Sequence, residues 1–174
     1  MPKFSAPKLG TSVNTVAIDA DVPANASGVL YALGGFSGGL STYMQDSRLC
    51  YEYNLFEIAR TKICTKEKVP AGRTKIEVET ATKPLPACQW RQEPLSVSHH
   101  HSARQRQRCR AGHCPTPGHV ALHGQRNCLD FGTDLGSPVS MDYFDKAPFP
   151  FTGTIIGGRC EVPARSGNQS RRRS

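Results

Sequence analysis

The sequence predicts a mainly β protein of antiparallel strands, each with one face buried. Three observations carry this prediction. Thirteen Pro and 16 Gly in 174 residues interrupt the chain too often for long helices. Apolar and polar residues alternate over several short stretches, which is the period of a half-buried strand. Turn-forming Gly, Pro and Asp residues fall between those stretches at hairpin spacing. Strand count and turn spacing together point to an antiparallel sandwich-like domain of jelly-roll or concanavalin-like architecture.

The elements follow in order. Over 15–22, Val16, Ile18, Ala20 and Val22 take one face, with Asp19 and Asp21 on the other. Residues 23–28 read as a turn, 29–33 as a short apolar strand, and Gly34-Gly35 closes it. Leu40, Thr42 and Met44 point one way, Asp46-Ser47 sits where a tight turn belongs, and Leu49, Tyr51, Tyr53 and Leu55 alternate again. A hairpin over 39–55 is therefore expected. Residues 60–65 and 74–80 read as a further pair around Val69-Pro-Ala-Gly72, with Ile76 and Val78 inward and Lys75, Glu77 and Glu79 outward. Region 13–83 is thus the first part of the β domain. Region 127–155 is the second part, with a turn-rich loop and a terminal strand over 149–155.

Charge divides the chain differently. The formal net charge is +8, and the excess lies in two stretches. Segment 84–126 holds six Arg against Glu93 alone, and segment 156–174 holds five Arg against Glu161 alone. All six His and three of the seven Cys lie in 84–126, and neither basic stretch contains Lys. No apolar face can be drawn through 84–126, so it is expected to be a low-order basic insert, and 156–174 a disordered tail. The β domain would then be incomplete, lacking central strands.

Several side-chain groups invite a function. Cys109, Cys114, His119 and His123 have outer spacings that suit zinc, but the loop between Cys114 and His119 is too short for a finger. Arg104 to Arg110 could meet phosphates electrostatically, yet no aromatic interleaves and no nucleic-acid motif accompanies them. Asp130, Asp134, Asp142 and Asp145 surround a Gly/Pro-rich loop, but their spacing matches no calcium loop. They read as turn carboxylates bonding nearby backbone. Tyr51, Tyr53 and Tyr143 could line a sugar groove, but read first as sheet packing. Seven Cys without a regular framework read as reduced thiols, with Cys50 and Cys64 as small packed side chains. Asn25-Ala-Ser27 and Asn168-Gln-Ser170 match the glycosylation acceptor. The first residues show no apolar leader and no run is long enough to cross a membrane, so the compartment is cytoplasmic by default.

Three stretches carry a resemblance. They are Gly28-Val-Leu-Tyr-Ala-Leu-Gly-Gly-Phe-Ser-Gly-Gly-Leu40, then Tyr51-Glu-Tyr-Asn-Leu-Phe-Glu-Ile-Ala-Arg-Thr-Lys62, then Cys128-Leu-Asp-Phe-Gly-Thr-Asp-Leu-Gly-Ser-Pro-Val-Ser-Met-Asp-Tyr143 with Ala147-Pro-Phe-Pro-Phe-Thr-Gly-Thr154. Together they resemble the C-terminal β-rich region of bacterial arylsulfatases, over roughly 15–83 and 127–155. The family's chemistry, a formylglycine made from the Cys of Cys-x-Pro/Ser-x-Arg and a calcium site, belongs to another portion of the enzyme. None of the seven Cys stands in that motif here; Cys114-Pro-Thr-Pro-Gly comes nearest and lacks the Arg. The resemblance therefore implies a non-catalytic fragment with no catalytic, cofactor-binding or metal residue, no cofactor of its own, and an upstream sulfatase catalytic portion as partner. A stand-alone β-sandwich module for sugars or sulfated ligands is the alternative. A basic nucleic-acid or zinc-binding protein is the third.

The departure from the family has a reading in codons. The family has a Phe-Thr-Ala-Asn-Asp-like segment before Cys-Leu-Asp, where this chain has His123-Gly-Gln-Arg126. The string TTC ACG GCC AAC GAC encodes the former and, shifted by two bases, the latter. Residues 84–126 are therefore expected to be translated out of frame, with a second slip near Ile156.

Overall fold

The computed structural model describes residues 9, 14–80, 92–101, 105–115 and 129–161, with backbone alone over 92–101 and 105–115. Ten strands are described: β1 Asn14–Val22, β2 Gly28–Gly35, β3 Gly38–Gln45, β4 Arg48–Leu55, β5 Ala59–Cys64, β6 Gly72–Thr80, β7 Gln92–His101, β8 Gln105–Pro115, β9 Leu129–Phe131 and β10 Thr154–Glu161. They form two five-stranded sheets, ordered β10-β1-β6-β7-β8 and β5-β4-β3-β2-β9. Every strand pairing within the sheets is antiparallel. The chain is an antiparallel β-sandwich, the fold class expected from its alternation.

The core lies between the sheets and follows the period-two pattern. Val16, Ile18, Ala20 and Val22 of β1 and Ile76 and Val78 of β6 face Leu40, Met44, Leu49, Tyr51, Tyr53 and Ile63 of the second sheet. The opposite face of β1 and β6 carries Asp19, Asp21, Lys75, Glu77 and Glu79, solvated as read from the sequence. The hairpin β3–β4 turns through Asp46 and Ser47, at φ 51° and 64°. These are the values of the hairpin turn that suits the strand twist.

Four expectations are corrected. First, β5 and β6 do not pair with each other. Register Tyr51↔Ile63 ties β5 to β4, and Ile18↔Ile76 ties β6 to β1. The link between them crosses from one sheet to the other, with Val69 buried on the way and its N–H donating to Ser47 O at 2.7 Å. Second, 84–126 is not without strands. The hairpin β7–β8 lies within it and extends the first sheet beyond β6, with Ile76↔His99 and Val97↔Cys109 in register. Ladder hydrogen bonds come from main chain, so a strand can add where side chains show no apolar period. Third, the final strand begins at Thr154, not Phe149, and runs into the stretch read as disordered, pairing with β1 as far as Thr15↔Glu161. Fourth, Cys50 and Cys64 are not reduced thiols. They lie opposite each other on β4 and β5 and form a disulfide, with Cα atoms 4.0 Å apart.

One short helical element was not expected. Met141–Lys146 forms a 3-10 helix whose Ser140 side chain caps it, accepting from Asp142 N at 3.1 Å.

Candidate functional site

The densest side-chain chemistry lies on the outer face of the second sheet, where segment 132–149 covers it. Alternation along β3 and β4 puts Ser41, Tyr43, Cys50, Glu52 and Asn54 on that face, opposite the core residues between them. Val139, Tyr143 and Phe149 pack down onto Val29, Ala32, Tyr43 and Cys50. The rings of Tyr43 and Tyr143 meet edge to face at 5.1 Å, and Tyr143 stacks on Phe149 at 5.3 Å. A second, smaller core is thereby closed outside the sandwich.

Buried polar groups tie this cover to the sheet. Glu52 is 4% exposed; its carboxylate accepts from Ser140 Oγ and receives Arg60 Nη1 at 3.4 Å. Arg60 also donates to Val139 O at 2.9 Å. Asp142 accepts from Tyr43 OH at 2.7 Å and pairs with Lys62. Asp134 Oδ2 accepts from Tyr143 OH at 2.7 Å and Val139 N at 2.9 Å, while Tyr143 OH also lies 2.8 Å from Ser41 Oγ. Each buried charge or hydroxyl here has a partner, as low dielectric requires.

Electrostatics follow the packing. Burial lifts the Asp134 carboxyl above its ordinary range, against the hydrogen bonds from Val139 and Tyr143. For Asp142, burial acts upward but is outweighed by the Lys62 and Tyr43 bonds, and the carboxyl is held low. Burial pushes both Tyr43 and Tyr143 well above the usual phenol range, so they stay protonated donors. The arrangement holds protons and charges in fixed places and seats the cover on the sheet.

The residues singled out in the sequence fall as follows. Asp130 and Asp134 bond nearby backbone as read, accepting from Leu135 N at 3.2 Å and Val139 N at 2.9 Å, whereas the Asp142 carboxylate bonds the Tyr43 hydroxyl and Lys62 on the sheet instead. No group of three or more His, Cys, Asp or Glu that could hold a metal ion occurs among the described residues. Tyr51, Tyr53 and Tyr143 are buried at 3%, 2% and 1%, so they are packing residues and not a groove wall. Cys109 and Cys114 lie on β8, while His119 and His123 are outside the described residues. Arg104 is also outside them, as is Asn168. Sequence reasoning missed Glu52, Arg60 and Lys62; the signal was three charges on the outward period of two adjacent strands.

A second feature is a shallow groove of about 290 Å3 on the outer face of the first sheet, lined by Thr15, Ala17, Asp19, Lys75, Gly157 and Arg159 among others. Its charges are already paired in part, Lys75 with Glu77 at 2.9 Å and Arg159 with Glu161 at 3.5 Å.

Fold and site together define a two-sheet β-sandwich with a helical cover on one outer face. Among solved structures, the chain is similar to domains LG4-5 of the mouse laminin alpha1 chain, with a TM-score of 0.63 and 12% identity. The match covers 93% of this chain and 38% of that one, and at this identity it shows the fold alone. No family model and no curated protein matches the sequence.

Proposed function

We propose that the chain is a non-catalytic β-sandwich portion of an arylsulfatase, the sulfate ester hydrolysis being carried by another portion of the enzyme. One observation supports this reading above others. Of the three stretches that resemble the arylsulfatase C-terminal region, the first two are neighbours in sequence and the third lies beyond residues 63–127, yet all three meet in space. Stretch 28–40 forms β2 and the start of β3, stretch 51–62 forms most of β4 and β5, and stretch 128–154 forms β9 and the cover. Asn54 bonds all three, donating to Phe36 O and Val139 O and accepting from Glu57 N. Likeness confined to one packed unit fits a part kept as a unit.

The experiment is to read the DNA across codons 80–130 and 150–174 with its upstream flank, in all frames. A Cys-x-Pro/Ser-x-Arg codon run upstream in the same orientation is the expected result. Its absence overturns the parentage. The same read tests the out-of-frame origin of 84–126, for which a shifted frame ending in Phe-Thr-Ala-Asn-Asp is expected.

A second reading, a stand-alone ligand-binding module, is favoured by the groove on the first sheet. Titration of the chain with neutral and sulfated oligosaccharides tests it, with chemical-shift or fluorescence changes expected at Lys75 and Arg159.

A further inference from the structure

The Cys50–Cys64 disulfide joins an interior strand to the outermost one. β5 ends the order of the second sheet, so among the described residues it has a ladder neighbour on one side only. Cys50 is 2% exposed and belongs to the small core under the cover, with Val139 and Tyr143. Cys64, directly opposite it in register, is exposed. A thiol arriving from solvent therefore approaches the bond from the Cys64 side. Exposed disulfides are the exchangeable ones, whereas sequestered ones resist reduction.

What the bond holds down is the cover. Ile63 is the one buried residue of β5, so little apolar packing keeps the strand in place. Its other contacts are polar. Arg60 donates to Val139 O at 2.9 Å and reaches Glu52, and Lys62 pairs with Asp142. These bonds pin 139–142 to the sheet. The chain is fastened again on either side of β5. Before it, Ile58 N donates to Leu55 O at 2.9 Å. After it, buried Thr65 donates its N–H to Leu49 O at 2.8 Å and accepts from Leu49 N on Oγ1 at 3.1 Å. Between these two anchors β5 can part from β4 as a flap while the rest of the sandwich stays folded.

We propose that Cys50–Cys64 is a thiol-exchange site, attacked at Cys64 by a dithiol reductant, and that its reduction lifts the cover from the second sheet. The attacking thiolate brings the electron pair. Its sulfur bonds to Cys64 as the Cys50–Cys64 bond breaks, and Cys50 leaves as a thiolate. That anion forms among apolar side chains, which disfavour charge, so it takes a proton as the pocket opens. The second thiol of the reductant then displaces Cys64, which is protonated in turn. The reductant closes into a disulfide, and two electrons and two protons reach the protein. Without its covalent anchor, β5 carries Arg60 and Lys62 away from Val139, Glu52 and Asp142. The oxidised chain holds the cover shut and the reduced chain releases it. This device does not depend on the parentage proposed above.

The test uses the full chain with its free thiols first blocked by iodoacetamide. Glutathione is added without denaturant, the reaction is quenched by alkylation, and tryptic cleavage after Arg60 and Lys62 separates the two cysteines. The glutathione adduct is expected on Cys64, about 10-fold or more over Cys50. An adduct mainly on Cys50 overturns the site. Reduction by dithiothreitol should speed up in proportion to its concentration. A rate independent of that concentration means that the whole fold must open first, and overturns the site as well. Amide exchange at 139–146 should then be about 10-fold faster or more in the reduced chain, with β1 and β6 unchanged and protection restored by reoxidation. Unchanged exchange at 139–146 overturns the release of the cover. Equal acceleration in β1 and β6 makes the bond a brace of the whole fold, and also overturns it.

Discussion

At the residue scale, backbone geometry and burial decide most outcomes. Gly28 has φ 114°, and a Cβ there would lie 2.2 Å from Pro150 O. Gly28→Ala should therefore cost about 2 kcal/mol or more, as strain and clash add, read as a lowered urea midpoint. Ser47 holds φ 64° in the β3–β4 turn, so Ser47→Gly should stabilise by about 0.5 kcal/mol in the same assay. Asp134 sets a pH dependence. Its carboxyl is raised by burial, so the native state binds that proton more tightly than the unfolded chain does. The associated stability is full below the ordinary carboxylate value of about 4 and is lost as pH rises through the raised value. Asp142 works the other way: its carboxyl is held low, so its contribution is present above about 4 and fades as pH falls through the lowered value. Denaturant midpoints measured from pH 3 to 7 should rise for Asp134→Asn relative to the unsubstituted chain at the upper end of that window. A parallel pair of curves would refute the assignment. The turns at Gly28 and at Asp46-Ser47 were legible in the sequence, but of the carboxylates only their clustering was. The bonds that separate Asp134 from Asp142 join residues up to 99 positions apart, which periodicity cannot see.

At the element scale, β5 is the weak strap. It is an edge strand of six residues with a neighbour in its sheet on one side only, yet it supplies Arg60 and Lys62, which hold the cover. The Cys50–Cys64 disulfide, closing a separation of 14 residues, fastens its last residue to β4. Substituting both by Ser should lower stability by about 3 kcal/mol, with faster amide exchange at 59–64 and 139–146 than in β3. Uniform loss of protection across both sheets would show that β5 is not a separate strap. The sequence showed β5 as a strand, because Ile63 keeps the alternation. It hid the partner, because a strand with one buried apolar residue fits either of two neighbours. The disulfide was hidden for the same reason: only register puts Cys50 opposite Cys64. The helical cover was invisible because Met141–Lys146 is too short to show a helical period.

At the scale of the whole molecule, the alternating stretches 15–22, 49–55 and 74–80 were enough to fix the two-layer class, since each demands one buried face and together they demand two opposed sheets. The composition of 84–126 concealed β7 and β8, whose backbone register extends the first sheet. Protection should mirror the layering. Amides of β1 and β6, flanked on both sides in one sheet, and of β3 and β4 in the other, should exchange slowest, near the global unfolding limit. Amides of β10 on the side away from β1 should exchange within the fast phase of a hydrogen-exchange time course. The pairing of Thr15 with Glu161 has one more consequence. These facing residues lie about 5 Å apart, as in any antiparallel ladder. A body whose two strand ends meet this closely behaves as a cassette: a host protein can carry it in a surface loop without being pried open. For the same reason, a linker joining Glu161 to Leu9, which is kept because its side chain is buried in the core, with the chain cut between Lys66 and Lys68, should yield a circular permutant with the same sandwich and a different first residue.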